Sequence, residues 1–177
     1  MRNHTLILEG GECTYKSTIT SKLAEEYSAV IHKRQRIVNP IQRVHRVLSD
    51  IIESHVRTSG FRDDRLHIFD RWELISDLVY EKYQYGGDSI FESLLPDLIT
   101  ELKNSDIVIV YLDVEEHDLL ERFRARGDRL VNETQAIDTL KAYKTLFRDA
   151  GIPHYRIDTT GRSSDQVCEI IKSILEV

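Results

Sequence analysis

Cysteine is almost absent from this sequence, with only Cys13 and Cys168 in 177 residues. Two residues so far apart build neither a disulfide framework nor a zinc ligand set, so a reducing compartment, the cytoplasm, is the expected setting. The seven histidines (4, 32, 45, 55, 67, 117 and 154) have no metal-ligand spacing, which argues against a transition-metal centre. Apolar runs are short: none approaches the roughly 20 residues that span a bilayer, and the opening MRNH leads into a brief apolar stretch that ends at Glu9. A soluble, unsecreted protein without a membrane partner is expected. Cations are in deficit, 24 Lys and Arg against 30 Asp and Glu for a net charge of −6, so nucleic acid is an unlikely partner unless a local basic cluster holds it. Proline (3) and glycine (8) are scarce, no flexible linker divides the chain, and no repeat is visible. The expectation is one domain over residues 1–177. What remains is 41% hydrophobic and 31% charged, enough for a domain of this length to bury about 70% of its unfolded surface.

Short apolar runs alternate with stretches of helical period, the pattern of a parallel sheet covered by helices on both faces. Strands are read at 4–9, 29–32, 66–69, 107–112 and 154–157. Helices are read at about 16–27, 41–56, 73–84, 89–103, 115–125, 133–149 and 163–175. The fold class is therefore α/β, a three-layer, doubly wound, five-stranded parallel sheet. Two helix starts have capping logic: Asp113 before 115, and Ser163 and Ser164 with Asp165 and Glu169 close behind.

The first strand runs directly into Gly10-Gly11-Glu12-Cys13-Thr14-Tyr15-Lys16-Ser17-Thr18 and then a helix, the place where a phosphate-binding loop belongs. Such a loop needs inward-facing backbone amides, a flexible ammonium beside the outer phosphates and a hydroxyl for Mg²⁺. Lys16 and Ser17 supply the last two, and Lys16 is expected to be exposed without ligand. Tyr15 stands where GxxxxGK[ST] has its second glycine, so a left-handed φ there would cost about 1–3 kcal/mol. The plainer alternative is a strand–turn–helix with a solvated Lys16.

A second apolar strand ends in Phe69-Asp70-Arg71-Trp72, at the sheet edge where ligands collect. A carboxylate there can orient the water shell of Mg²⁺, and a guanidinium can take a phosphate bidentately; a surface Asp–Arg pair is the plain reading. Arg122, Arg124, Arg126 and Arg129 crowd around Gly127. A lid closing on phosphates accounts for all four, while cations suited to a helix C-terminus account for some. Trp72, Tyr80, Tyr83 and Tyr85 cluster after Asp70; the tyrosines have core spacing, and Trp72, beside Arg71, is the best candidate base neighbour.

In this order the motifs resemble the thymidylate kinase-like branch of the P-loop nucleoside and nucleotide kinases. Residues 9–18 are similar to that family's EGxDGxGK[ST]T loop, with Cys13 and Tyr15 replacing two glycines. Phe69-Asp70-Arg71-Trp72 with Ser76 and Tyr80 is similar to its DR[YH] segment. Tyr111-Leu112-Asp113 and residues 120–129 are similar to its fourth strand and arginine lid, at about 122–135. Ile157-Asp158-Thr159-Thr160 is similar to its adenine-side loop.

The resemblance implies a P-loop NTPase fold and Mg-ATP-dependent phosphoryl transfer to a deoxynucleoside monophosphate. Gly10 to Thr18, Arg122, Thr159 and Thr160 would hold ATP, with Lys16 on the β and γ oxygens. Ser17 and Asp70 would hold Mg²⁺. Arg71 would clamp the acceptor or transferred phosphate, and Arg124, Arg126 and Arg129 would neutralise charge from the lid. Glu12, Arg34 (or Arg36), Arg71 and Trp72 would meet the acceptor. A homodimer is implied as well, and the glycine-poor, shortened style looks like kinases of large bacteriophages. Two alternatives stay open. One is a hydroxyl acceptor, either a deoxynucleoside or a hydroxymethylated base in DNA held by residues 32–36 with Arg43 and Arg46. The other is a catalytically inactive nucleotide-binding protein.

Overall fold

The computed structural model describes residues 5–33, 39–58, 65–84, 86–127 and 131–176. Its five strands are β1 (Thr5–Glu9), β2 (Val30–Lys33), β3 (His67–Asp70), β4 (Ile107–Asp113) and β5 (Tyr155–Asp158). They form one parallel sheet in the order β2-β3-β1-β4-β5. The chain steps from β1 out to β2 and back to β3, then crosses to β4 and β5, so the strand order reverses at β1. In open parallel sheets a crevice forms at that switch point, outside the carboxyl ends of the strands.

The helices are α1 (Lys16–Tyr27), α2 (Pro40–Thr58), α3 (Glu73–Asp77), α4 (Leu95–Lys103), α5 (Glu116–Arg126), α6 (Glu133–Asp149) and α7 (Ser164–Leu175). They cover the sheet in two layers, and the pleat decides which residues meet which layer. On one face Leu6, Leu8, Ile68, Val110 and Leu112 pack against Ile19 and Leu23 of α1 and Val167, Ile171 and Leu175 of α7. On the other face Ile7, Phe69, Ile109 and Tyr111 pack against α2, α3, α4 and α6 through residues such as Val47, Leu74, Leu98 and Tyr143. A smaller cluster of Val114, Leu119, Phe123, Ala136 and Leu140 seats α5 on α6. No helix among the described residues is long and apolar enough to cross a membrane.

The strands fall within one residue of their expected positions, apart from residue 4, which lies outside the described residues. Three helical expectations change. The span 89–103 is helical only from Leu95, because Pro96 occupies the first turn, where its missing N–H and fixed φ suit a helix start and not a helix interior. The span 73–84 is α-helical for five residues and then widens into a π-helix, Leu78–Gln84. Asp113 does not cap α5: it completes β4, and Glu115 takes the N-cap position without a side-chain bond. The start at Ser163 is as expected: Ser163 caps α7 in a capping box closed by Gln166, with Asp165 in the first turn.

Candidate active site: a phosphate loop at the switch point

The loop between β1 and α1 turns on three residues of positive φ. Gly10 has φ +150°, and a Cβ there would lie 2.5 Å from the Leu112 carbonyl oxygen, so only glycine lets the loop leave the sheet this close to β4. Cys13 (φ 56°) and Tyr15 (φ 66°) are left-handed, at the two positions where the resembling loops carry glycine. The conformation that glycine makes easy is kept here by residues with a Cβ, at about 1–3 kcal/mol each.

Lys16 is 7% exposed, not solvated as expected. Its Nζ donates to the carbonyls of Gly10 (2.9 Å) and Gly11 (2.5 Å) and lies 3.2 Å from Thr14 Oγ1. Thr14 Oγ1 donates to the Gly11 carbonyl at 3.0 Å, closing the turn. Burial, reinforced by the nearby Arg71 cation, pushes the Lys16 ammonium down to about 7. One residue on, Ser17 Oγ donates to Asp70 Oδ2 at 3.0 Å, joining the first turn of α1 to the end of β3.

Arg71 is also left-handed (φ 71°), and its amide donates to the Leu8 carbonyl at 3.1 Å. The side chain is held by Glu12 Oε1 at 2.8 Å and by the Tyr80 hydroxyl, which the π-helix presents. Beneath it lies Glu9, fully buried at the end of β1. Its carboxylate accepts from the Trp72 amide at 2.5 Å and from the Tyr143 hydroxyl at 2.8 Å. Burial raises the Glu9 carboxyl to about 7 against the opposing pull of those bonds and of Arg71 and Lys16.

Above Glu9 opens a cavity of about 480 Å³, walled by Glu12 to Thr18, Lys33, Asp70, Arg71 and Arg126. Arg126 reaches in from the last turn of α5, with Nη1 3.6 Å from Glu12 Oε2. Lys33 was absent from the expected site. Its signal is strand pairing, not sequence: β2 sets Lys33 in register with Asp70 at the same sheet edge.

Arg122 stands behind the loop. Its guanidinium donates to the Thr159 carbonyl (2.6 Å) and hydroxyl (3.1 Å), to Asp118 (2.9 Å) and to the Cys13 carbonyl (3.4 Å). Its central carbon lies 4.4 Å from the centre of the Tyr15 ring. Thr159 is anchored to the Asp113 carbonyl, and Thr160 Oγ1 accepts from the Glu115 amide, so the loop after β5 sits beside the start of α5.

Two expected site residues point elsewhere. Trp72 is 1% exposed, packs in the core and donates Nε1 to the buried Asp50 at 2.9 Å, so it does not line the cavity. Arg124 lies outside the cavity and forms a two-pronged, exposed pair with Glu133. Arg34, Arg36, Arg129 and Tyr85 lie outside the described residues, as does the side chain of Tyr83.

The donor set at Ser17 and Asp70 fits magnesium: one hydroxyl and one carboxylate oxygen, adjacent and at the cavity mouth. Among the described residues no three His, Cys, Asp or Glu side chains cluster as a dedicated metal cage. Magnesium is commonly bound by one or two protein oxygens, with waters and phosphates completing its shell.

No protein-family model matches the chain. It is 27% identical over 171 residues to the SPbeta prophage-derived uncharacterized protein YorR of Bacillus subtilis (strain 168), covering 97% of this chain and 98% of that one. The crystal structure of YorR in complex with phosphorylated GDP matches with a TM-score of 0.75 at 26% identity over 97% of this chain and 95% of that chain. Deoxyadenosine kinase from M. mycoides with bound dATP matches with a TM-score of 0.62 at 18% identity, over 98% and 100% of the two chains. Thymidylate kinase from Candida albicans matches with a TM-score of 0.55 at 15% identity, over 99% and 92%. The five-stranded parallel sheet, the loop at its switch point and these neighbours together show that the chain has the P-loop nucleotide-kinase fold, and that it has a prophage-derived relative.

Proposed function

We propose that the protein is a Mg-ATP-dependent kinase of a deoxynucleoside monophosphate, acting in the cytoplasm as a homodimer. The observation that carries this reading is the convergence of Lys16, the Ser17–Asp70 pair, Arg71 and Arg126 on one cavity at the switch point. Backbone amides of the loop and the N-terminus of α1 receive the donor phosphates, and Lys16 exchanges its carbonyl partners for their oxygens. Ser17 and Asp70 would hold magnesium, which would supply charge neutralisation at the outer phosphates. Arg71 and Arg126 flank the site of transfer, and residues 122–135 act as a lid. Preset cations of this kind lower the barrier because they require no reorganisation as charge redistributes. Arg122, Thr159 and Thr160 border the donor on the opposite side.

Glu12 supports a second reading. Its carboxylate lies in the cavity against Arg71, where a general base for a hydroxyl acceptor would stand. Deoxyadenosine kinase among the structural neighbours gives that acceptor class a precedent in this fold. The nucleotide in the YorR complex makes guanine nucleotides worth including among donors and acceptors.

The test is a turnover panel. Purified protein with Mg-ATP or Mg-GTP is offered each deoxynucleoside monophosphate, modified pyrimidines included, and each free deoxynucleoside. Diphosphate formation from at least one monophosphate is expected. Phosphorylation of free nucleosides alone moves the function to the hydroxyl acceptor, and binding of ADP without any transfer leaves a nucleotide-binding protein.

A further inference from the structure

We infer that Tyr15 is a positioning residue for the donor nucleotide, acting through Arg122; this rests on the donor site proposed above. Four non-glycine residues have positive φ among the described residues, and of these four Tyr15 alone carries a ring. A ring at a left-handed position persists only where its surroundings hold it there and something is gained by having it. Here the surroundings are plain. The ring packs against the core layer under α1 and α7. Above it lies the Arg122 guanidinium, 4.4 Å from the ring centre.

The stack adds an aromatic contact between parts of the chain that are otherwise joined here by the long Arg122 bond to the Cys13 carbonyl and the Arg126–Glu12 pair. Tyr15 belongs to the phosphate loop and borders the cavity. Arg122 belongs to α5 and spends its donors on Thr159, Asp118 and the Cys13 carbonyl. Hydrogen bonds to Thr159 and Asp118 fix one edge of the guanidinium, and the aromatic face fixes its plane. A cation over a ring gains most when water is kept from both, and Arg122 is only 15% exposed. A glycine at position 15 would give the loop its easy conformation and leave that plane unsupported. The tyrosine thus trades backbone comfort for a rigid wall between the phosphate loop and the loop after β5.

The experiment is a double-mutant cycle read by calorimetric binding of ADP and by steady-state kinetics. Tyr15→Gly removes ring and strain together, and Tyr15→Ala removes the ring and keeps the strain. Both are expected to weaken ADP binding by about three- to tenfold and to raise KM for ATP in step, with kcat and the acceptor KM within about twofold. Tyr15→Phe is expected to bind as wild type does. Arg122→Lys is expected to weaken ADP binding several-fold in the wild-type background and less than twofold on top of Tyr15→Gly. Independent effects in the cycle, or wild-type binding by Tyr15→Gly, overturn the inference and leave the donor site standing. Absence of ADP binding by wild type removes both. Thermal melts establish that each variant is folded, and Tyr15→Leu replaces any that is not, with the same expected loss.

Discussion

The Trp72 amide donates to Glu9 Oε1 at 2.5 Å, one residue beyond an arginine whose backbone is left-handed. The buried carboxylate thereby holds the β3 exit on one side of Arg71, while the Leu8 carbonyl holds it on the other. With Tyr143 donating to its second oxygen, Glu9 ties the ends of β1 and β3 to α6.

That buried carboxyl gives the nucleotide-free protein a pH dependence. Burial raises Glu9 from 4.5 to about 7, so between those values the folded state binds a proton that the unfolded chain releases. Its contribution is fully present below about pH 4.5 and is lost as pH rises through about 7. Melting curves from pH 5 to about 6.5, below the range where the lowered Lys16 ammonium adds the opposite slope, should show Tm falling with pH, and Glu9→Gln should flatten that fall. An equal slope in both proteins would remove Glu9 as its source.

Lys16→Ala should lower kcat at least about a hundredfold, the usual cost of deleting a charge-stabilising donor at a transferring group. Circular dichroism and Tm should change little, since the amine now bonds only to oxygens of its own loop. Loss of folding would make the lysine structural.

Replacing Asp70 by Asn keeps its shape and a weakened acceptor for Ser17 while removing the negative charge. The magnesium concentration for half-maximal activity should rise about tenfold or more, with acceptor KM unaffected. A magnesium titration of initial rate decides this.

Gly10→Ala should destabilise the fold by about 2–4 kcal/mol, combining a left-handed alanine with forced displacement of the β4 backbone. The added carbon would lie 2.5 Å from the Leu112 oxygen and 2.9 Å from Thr14 Oγ1. Urea denaturation gives the number.

Trp72→Phe tests the placement of that side chain. The variant strips the buried Asp50 of its indole partner and should cost about 1–3 kcal/mol, while KM for the acceptor stays within twofold. A large change in acceptor KM with unchanged stability would return Trp72 to the site.

The sheet was legible because its central strands β1, β3 and β4 are apolar runs buried on both faces, and the phosphate loop because strand, lysine, hydroxyl and helix follow one another directly. What lay hidden depends on distance along the chain. Lys33 enters the cavity only through the pairing of β2 with β3. Trp72 adjoins Arg71 in sequence, yet a left-handed residue followed by an extended one (φ −119°) sends the indole into the core. Glu9 looks like the polar end of a strand until Tyr143, 134 positions away, is seen to meet it. The start of α4 was marked by Pro96, whose first-turn position the apolar period alone conceals.

Because the ammonium at the head of α1 is already surrounded by three oxygens, an arriving anion replaces neighbours instead of filling an empty shell. A small ion such as sulfate, with few atoms to offer, gains little from that exchange. Under the proposed function, a polyphosphate chain that met the amine, the helix start and the arginines in a single step would gain at every contact, so the loop would select by ligand length before any base is recognised.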